Sequence, residues 1–223
     1  MIKGIIFDLD GTLCDTLEDI RTGVNAALKR LGYGERSLSE IHSFINNGSR
    51  QLIKRSLPED VQSVDFIVDS ALSDYDVEYS KCYCEKTYVF DGIKEILDEL
   101  KILGFKTAIL SNKQDAFVKG IAEKLFTEQI FDFVMGQSEF PTKPNPASAL
   151  YVAKMIGAKP ESCIYIGDSD VDIATAKNAG MKFIGVKWGY RDEETLKKAG
   201  AEIMVSTPQE LMQEILEANS EKK

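Results

Sequence analysis

The chain has 223 residues, of which 43% are hydrophobic, enough for one large domain or for a core domain with a smaller inserted one. Its formal net charge of −9 argues against binding nucleic acid or acidic membranes by general electrostatics, so a small anionic substrate would need a local site. The amino terminus runs directly into an apolar run without a charged and apolar leader, and no apolar segment approaches the ~20 residues of a membrane span. We therefore expect a cytoplasmic protein with no nucleic-acid or membrane partner.

The first apolar run ends in two aspartates, Asp8 and Asp10, followed by Gly11. This pattern predicts a buried strand that opens onto a polar pocket. Side chains two positions apart in an extended segment point to the same side, so the two carboxylates should converge on one small volume. A cation or a shared proton would relieve their repulsion. The alternative is that both aspartates are ordinary turn formers.

Residues 15–88 predict a helical insert with no strand. Asp15, with Glu18 three residues later, resembles a capping box and predicts the start of the first helix. Ser37 with Glu40 predicts the start of a second helix, and apolar residues at helical spacing predict two more within the same segment.

Beyond residue 89 the pattern changes to alternating strands and helices. This alternation is typical of a parallel, Rossmann-like sheet with helices on both faces. We therefore predict an α/β core domain of residues 1–14 and 89–223 and an all-helical cap domain of residues 15–88. Strands are predicted over 105–110, 131–135, 163–166, 183–186 and 203–205, and helices over 93–103, 117–125, 147–156, 172–179, 193–199 and 208–217.

Ligands of such sheets bind beyond the carboxyl ends of the strands, where the winding reverses. The first strand is central if the strands ending at Ser111 and Gly167 flank it. The two aspartates would then meet Ser111 and Asp168 at one edge of the sheet. Because the insert leaves the chain directly after the aspartates, it would cover this edge as a lid.

Polar clusters also follow three later apolar runs. Together with the first strand, these clusters resemble, in order and spacing, the four motifs of the haloacid dehalogenase superfamily of phosphohydrolases. One motif alone is weakly specific, whereas four in order are strongly specific. The three clusters are Ser111-Asn112-Lys113, Lys143-Pro144-Asn145-Pro146 and Gly167-Asp168-Ser169-Asp170-Val171-Asp172.

The resemblance implies a magnesium-dependent phosphatase. Asp8 would be the nucleophile that forms an aspartyl-phosphate, and Asp10 the general acid and base. Hard dications take oxygen ligands, and the Mg²⁺ ligands would be a carboxylate oxygen of Asp8, the backbone oxygen of Asp10 and a carboxylate oxygen of Asp168.

The other motif residues would hold the phosphoryl group and organise the site. Ser111 and Asn112 would hydrogen-bond the transferring phosphoryl group. Lys143 would neutralise the nucleophile and the phosphate. Asp172 would orient the site rather than bind the ion, and Asp170 is assigned to a surface turn.

The insert carries the signal for substrate specificity. Segment 44–52 resembles the cap segment of phosphoglycolate phosphatases, with Asn46 at a position where glycine is common in that family. Arg50 would hold a substrate carboxylate or phosphate in a two-pronged geometry; the alternative is an ordinary helix-surface arginine. Segment 188–190 also resembles this branch, with core packing as the alternative.

The leading hypothesis is a phosphoric monoester hydrolase acting on a small phosphorylated metabolite, as a monomer or homodimer, with 2-phosphoglycolate as the first substrate to test. Alternatives within the superfamily are a β-phosphoglucomutase-like phosphomutase, a pyrophosphatase and a nucleotidase. A receiver-type signalling domain has no place for the helical insert. A dinucleotide-binding module would require a glycine-rich loop where this chain has acids.

The four cysteines do not form a zinc pattern, because there is one Cys-x-Cys pair and a single histidine. A redox or metal role for Cys82 and Cys84 is an alternative that a cytosolic location disfavours. Cys163 lies in an apolar run and is expected to pack in the core.

Overall fold

The structure is a computed structural model that describes residues 1–220. The strands in chain order are β1 (Gly4–Phe7), β2 (Cys14–Asp15), β3 (Tyr88–Val89), β4 (Lys106–Gln114), β5 (Phe133–Gln137), β6 (Cys163–Gly167), β7 (Lys182–Val186) and β8 (Met204–Val205). The helices are α1 (Leu17–Arg30), α2 (Leu38–Phe44), α3 (Ser49–Ser56), α4 (Asp65–Tyr79), α5 (Ile93–Ile102), α6 (Asp115–Leu125), α7 (Ala147–Met155), α8 (Asp170–Ala179), α9 (Glu193–Ala199) and α10 (Pro208–Ser220).

Six strands form one parallel sheet in the order β5-β4-β1-β6-β7-β8. Strand β1 lies between β4 and β6, with Phe7 in register with Ile109 on one side and Ile166 on the other. The sequence prediction of a central first strand is therefore confirmed. The winding reverses at β1, which places its carboxyl end at the expected ligand-binding edge.

Helices cover both faces of the sheet, as predicted. Because side chains alternate along a strand, Ile5 and Phe7 pack in one apolar cluster and Ile6 in another. The first cluster includes side chains from α5, α6 and α10, and the second includes side chains from α7 and α8. Both faces of β1 are thus buried, which explains why its sequence is a continuous apolar run.

Strand β4 is longer than the predicted strand over 105–110. It continues through the polar cluster to Gln114, because pairing with β5 resumes at Gln137 after an irregular register between Leu110 and Gln114. Polar side chains at this point indicated the end of the strand, whereas the backbone remains extended. Ser111, Asn112 and Lys113 therefore lie within β4, near its carboxyl end.

Helices α1 to α4 make up most of the predicted insert. They pack around an apolar cluster that includes Val24, Ile41, Ile53 and Val68. The division of the chain at residues 15–88 into a separate cap domain stays a prediction. Within residues 1–220, no helix combines the length and the apolarity that crossing a bilayer requires.

The ends of the insert contain a short strand pair that the sequence did not predict. Strands β2 and β3 pair antiparallel, with Cys14 opposite Val89 and Asp15 opposite Tyr88. Two residues in each strand give too short a pattern to detect by periodicity. The chain segments that enter and leave the insert therefore run side by side.

One predicted helix start is confirmed and one is wrong. Ser37 and Glu40 form a reciprocal capping box at α2. Helix α1 begins at Leu17 with Thr16 at the N-cap position, while Asp15 accepts a hydrogen bond from the Leu17 backbone N–H at 3.0 Å. Asp15 is displaced from the capping position because it belongs to β2.

The start of α1 is also tied to the segment that leaves the insert. The buried Asp19 carboxylate accepts hydrogen bonds from the backbone N–H groups of Glu85 at 3.0 Å, Lys86 at 3.0 Å and Thr87 at 2.8 Å. A charged acceptor satisfies three backbone donors here, so this contact fixes both connecting segments in place.

Candidate active site

A cavity of about 50 Å³ lies at the carboxyl ends of β1 and β4, beneath the helical insert. Its core side brings together side chains from all four sequence motifs: Asp8, Asp10, Ser111, Asn112, Lys113, Lys143 and Ser169. Its other wall is formed by the insert residues Ile20, Ile45, Asn46, Gly48, Ser49, Leu52 and Tyr75.

Lys143 lies beside the predicted nucleophile. Its buried ammonium is 3.0 Å from Asp8 Oδ1 and 2.7 Å from Asp172 Oδ1. It also donates hydrogen bonds to the hydroxyl of Tyr165 at 3.1 Å and to the carbonyl of Leu110 at 3.2 Å. The structure therefore brings together three charged residues that are far apart in sequence.

Burial raises the pKa of Asp8 to about 7, against the opposing attraction of Lys143 and with additional repulsion from Asp172. Burial also raises the pKa of Asp168 well above its ordinary value, with repulsion from Asp172 and Asp8 adding to the effect. The same crowding that positions these acids therefore disfavours their ionised forms in the protein alone.

A divalent cation fits this cluster. One carboxylate oxygen each from Asp8, Asp168 and Asp172 lies within 4.8 Å of the others, and all three residues are buried. Lys143 pairs with two of these acids, so negative charge is in excess. Carboxylate oxygens are the ligands that Mg²⁺ prefers, and an ion here would offset the repulsion.

Asp8 and Asp172 differ in their hydrogen-bond partners. Asp172 uses one oxygen for Lys143 and the other for the Ser169 hydroxyl. Asp172 therefore orients the Lys143 ammonium and the Ser169 hydroxyl within the site. Asp8 Oδ1 accepts no hydrogen bond within the described chain and contacts Lys143 only as an ion pair. Asp8 therefore has an oxygen available to an ion, and the choice of Asp168 over Asp172 as the second carboxylate ligand stays a prediction.

Asp168 is oriented by the chain around it. It accepts hydrogen bonds from the Thr12 hydroxyl at 3.3 Å and from the Tyr190 backbone N–H at 2.7 Å. A Cβ atom on Gly11 or Gly189 would overlap Asp168, so both positions require glycine. Gly11 also has a φ of +81°, in the region that favours glycine.

Asp10 has two partners that the sequence did not predict. Its Oδ1 accepts a hydrogen bond from the Thr16 hydroxyl and lies 2.6 Å from Lys113 Nζ. The sequence included Lys113 in a motif cluster but gave it no role, since the resemblance concerned the two residues before it. The sequence signal for a role of Lys113 in the site was its position directly after Ser111 and Asn112.

Ser111 and Asn112 line the cavity, and their predicted phosphoryl contacts stay a prediction. The Ser111 hydroxyl oxygen accepts a hydrogen bond from the Lys113 backbone N–H at 3.2 Å, which leaves its O–H free to donate. The Asn112 amide instead bridges the backbone of Lys143: its oxygen accepts from the N–H at 2.8 Å, and its nitrogen donates to the carbonyl at 3.1 Å. Asn112 therefore holds the lysine loop in position.

Arg50 does not line the cavity. Its guanidinium pairs with Asp65 at 2.7 Å and Asp69 at 3.1 Å, and 42% of the side chain is exposed. Its predicted role in specificity stays a prediction and would require these pairs to break. Asp170 is exposed, as expected, but it is the first residue of α8 and not part of a turn.

Asn46 adopts a φ of +86°, in the left-handed region that favours glycine. Its backbone carbonyl accepts a hydrogen bond from the Asn112 amide at 3.4 Å. The insert therefore touches the core directly at the cavity.

Segment 188–191 contacts Asp168, the start of the insert and α2. The Tyr190 hydroxyl accepts from the Thr16 backbone N–H at 2.8 Å and donates to Asp15 at 3.0 Å. Arg191 donates to the carbonyls of His42 at 3.3 Å and Ile45 at 3.1 Å. Beyond packing, this segment therefore supports the site and holds the end of α2.

The four motifs, their convergence on one cavity and the sheet order describe a known family. Residues 5–186 match the haloacid dehalogenase-like hydrolase family. The chain belongs to this family. The predicted superfamily and α/β fold are thereby confirmed.

Individual relatives are similar over nearly the whole chain. A phosphoglycolate phosphatase of Colwellia psychrerythraea is 32% identical over 93% of this chain and 94% of its own length. A phosphoglycolate phosphatase of Psychrobacter arcticus is 34% identical over 87% of each chain. A solved structure from Lactobacillus delbrueckii, provisionally described as a phosphoglycolate phosphatase, has a TM-score of 0.89 and 31% identity, and the match covers 96% of this chain and 98% of that one. The resemblance to phosphoglycolate phosphatases is therefore confirmed.

Proposed function

We propose that this protein is a magnesium-dependent phosphatase that hydrolyses phosphomonoesters of small metabolites through an aspartyl-phosphate on Asp8. The observation that carries the proposal is the ion pair between Asp8 and Lys143 in a cavity that Asp10 also lines. The names of the relatives make 2-phosphoglycolate the first substrate to test.

The first chemical step uses two acids. A carboxylate oxygen of Asp8 attacks phosphorus, the bond from phosphorus to the ester oxygen breaks, and Asp10 donates a proton to the leaving oxygen. In the second step Asp10 takes a proton from water, which attacks the aspartyl-phosphate and releases inorganic phosphate and free Asp8. Lys143 stabilises negative charge in both steps from its buried position beside Asp8.

Because its pKa is raised, Asp8 needs nearby positive charge to be ionised at neutral pH. Asp8 must be ionised to attack, while burial raises its pKa to about 7. Lys143 opposes this effect, and Asp172 keeps the ammonium in place. A bound Mg²⁺ would supply further positive charge that favours ionised Asp8 and reduces its repulsion from the phosphate.

The cavity supports a small substrate. Its volume is about 50 Å³, and the insert forms one of its walls. A water molecule needs roughly 10–15 Å³ of such space, so the cavity has room for about four water molecules, which suits a small substrate better than a large one. The four cysteines are free thiols, which supports cytoplasmic location as part of the proposal. We propose a monomer or homodimer.

Turnover assays test the proposal. Purified protein is incubated with 2-phosphoglycolate and a panel of sugar phosphates, nucleotides and pyrophosphate, with Mg²⁺ or with a chelator. We expect Mg²⁺-dependent release of inorganic phosphate, highest for small phosphomonoesters. Phosphorus NMR of the same reactions detects isomerisation. Isomerised sugar phosphate without phosphate release would instead identify a phosphomutase and reject the phosphatase.

A further inference from the structure

Lys113 is a buried cation that the mechanism above does not use. Its side chain is 5% exposed, and its ammonium lies 2.6 Å from Asp10 Oδ1. On another side it faces the Tyr79 ring of α4, with 5.2 Å between the nitrogen and the ring centroid. The ammonium therefore sits in the cavity between the predicted general acid and the helical insert.

Lys113 has hydrogen-bonding capacity to spare. An ammonium carries three N–H donors. Within residues 1–220, Asp10 Oδ1 is the single hydrogen-bond acceptor of Lys113 Nζ. The Tyr79 ring attracts the charge without accepting a directed hydrogen bond at this distance. A buried ammonium with two unassigned donors favours an additional anionic or polar ligand.

The other cations near the cavity are already engaged. Lys143 contacts two carboxylates, a hydroxyl and a carbonyl. Arg50 pairs with two acids outside the cavity. Lys113 is thus the cavity-lining cation, among the described residues, that can accept a new anion without losing a partner.

The position of Lys113 beside Asp10 indicates which part of a substrate its ammonium would contact. Asp10 is the proposed proton donor to the leaving oxygen, so a group that contacts Asp10 lies on the leaving-group side of phosphorus. We propose that Lys113 is a specificity-determining residue whose ammonium binds a second anionic group of the substrate, carried close to the ester oxygen. In 2-phosphoglycolate this group is the carboxylate. The inference rests on the proposed function and names the residue that recognises the substrate class.

A pair of matched substrates tests the inference. Ethyl phosphate differs from 2-phosphoglycolate in having a methyl group in place of the carboxylate. We compare kcat/KM for both substrates in wild type, Lys113→Met, which keeps the chain length without the charge, and Lys113→Arg, which keeps the charge. Loss of a charge-assisted hydrogen bond should lower the ratio of 2-phosphoglycolate to ethyl phosphate by about 10- to 100-fold in Lys113→Met. Lys113→Arg should recover most of the ratio.

The controls separate specificity from folding. Lys119→Met removes a lysine that is 53% exposed on α6 and should leave both rate constants unchanged. Both substrates are measured on one preparation, so a partly unfolded variant lowers both values and leaves their ratio unaltered. Calorimetric binding of the two compounds to Asp8→Asn and to Asp8→Asn with Lys113→Met gives a readout that is independent of turnover. The second substitution should weaken binding of 2-phosphoglycolate selectively.

The outcomes distinguish the inference from the proposed function. If Lys113→Met changes kcat/KM by the same factor for both substrates, their ratio is unchanged. This result overturns the inference and leaves the phosphatase assignment intact. Hydrolysis of neither substrate by the wild-type protein overturns the inference, whereas the proposed function fails only if no phosphomonoester of the wider panel releases phosphate.

Discussion

Replacing Asp8 by asparagine should abolish turnover and yet stabilise the metal-free protein. The substitution removes the attacking oxygen but almost no volume. It also removes a charge that burial disfavours, since the pKa of Asp8 is raised from 3.8 to about 7. Lys143 keeps its partner Asp172 in the variant, so no buried cation is left unpaired.

The pH dependence of this effect has a definite sign. Between pH 3.8 and about 7, folded Asp8 retains a proton that the unfolded chain has lost. The free energy of unfolding of the wild type therefore falls as pH rises through this window, whereas that of Asp8→Asn lacks this contribution. One pKa unit corresponds to about 1.4 kcal/mol, and the pKa of Asp8 is raised by about three units. The free energy of unfolding of Asp8→Asn should therefore exceed that of the wild type by about 4 kcal/mol above pH 7 and by close to nothing near pH 4.

Urea unfolding followed by circular dichroism measures the difference. Both proteins are unfolded at pH 4, 6 and 8 in the presence of a chelator, and phosphate release is measured separately with Mg²⁺. Asp170→Asn is the matched control, because it removes the same charge from a side chain that is 55% exposed and should change stability by less than about 0.5 kcal/mol. A variant that is no more stable than wild type at pH 8 would refute the reasoning, and retained turnover would reassign the nucleophile.

Three further predictions concern the charges around the site. Lys143→Met leaves Asp8 and Asp172 buried without their cation, so it should lower the free energy of unfolding, measured with urea in the absence of metal, by about 3–5 kcal/mol. A decrease of less than about 1 kcal/mol would contradict the ion-pair argument. Adding Mg²⁺ should raise the melting temperature of wild type at pH 8 and have a smaller effect on Asp8→Asn, as measured by differential scanning fluorimetry; equal shifts would count against Asp8 as a ligand. Asp19→Ala leaves three backbone donors without their carboxylate and should lower stability by about 2–4 kcal/mol, with protease cleavage near residues 85–87 as a second readout; unchanged cleavage would argue against its anchoring role.

The amino-acid sequence by itself predicted the α/β architecture and named several of the residues that meet at the cavity. Alternation of strand and helix patterns predicted the parallel sheet, and the apolar run before Asp8 predicted a strand buried on both faces. These signals are local, because periodicity depends on neighbouring residues. The strand order then predicted that Asp8 and Asp10 meet Ser111 and Asp168, since parallel strands deliver their carboxyl ends to one edge, and the motif resemblance placed Lys143 beside Asp8.

The tertiary structure alone decided which partner each polar side chain takes. Lys113 reaches Asp10 across 103 positions, and the Tyr190 backbone supports Asp168 from another strand's loop. Acids of the neighbouring helix α4 engage Arg50, so its spacing within the insert could not show where its guanidinium lies. Partner choice depends on distances of a few ångströms between segments remote in sequence, and no local pattern encodes those distances.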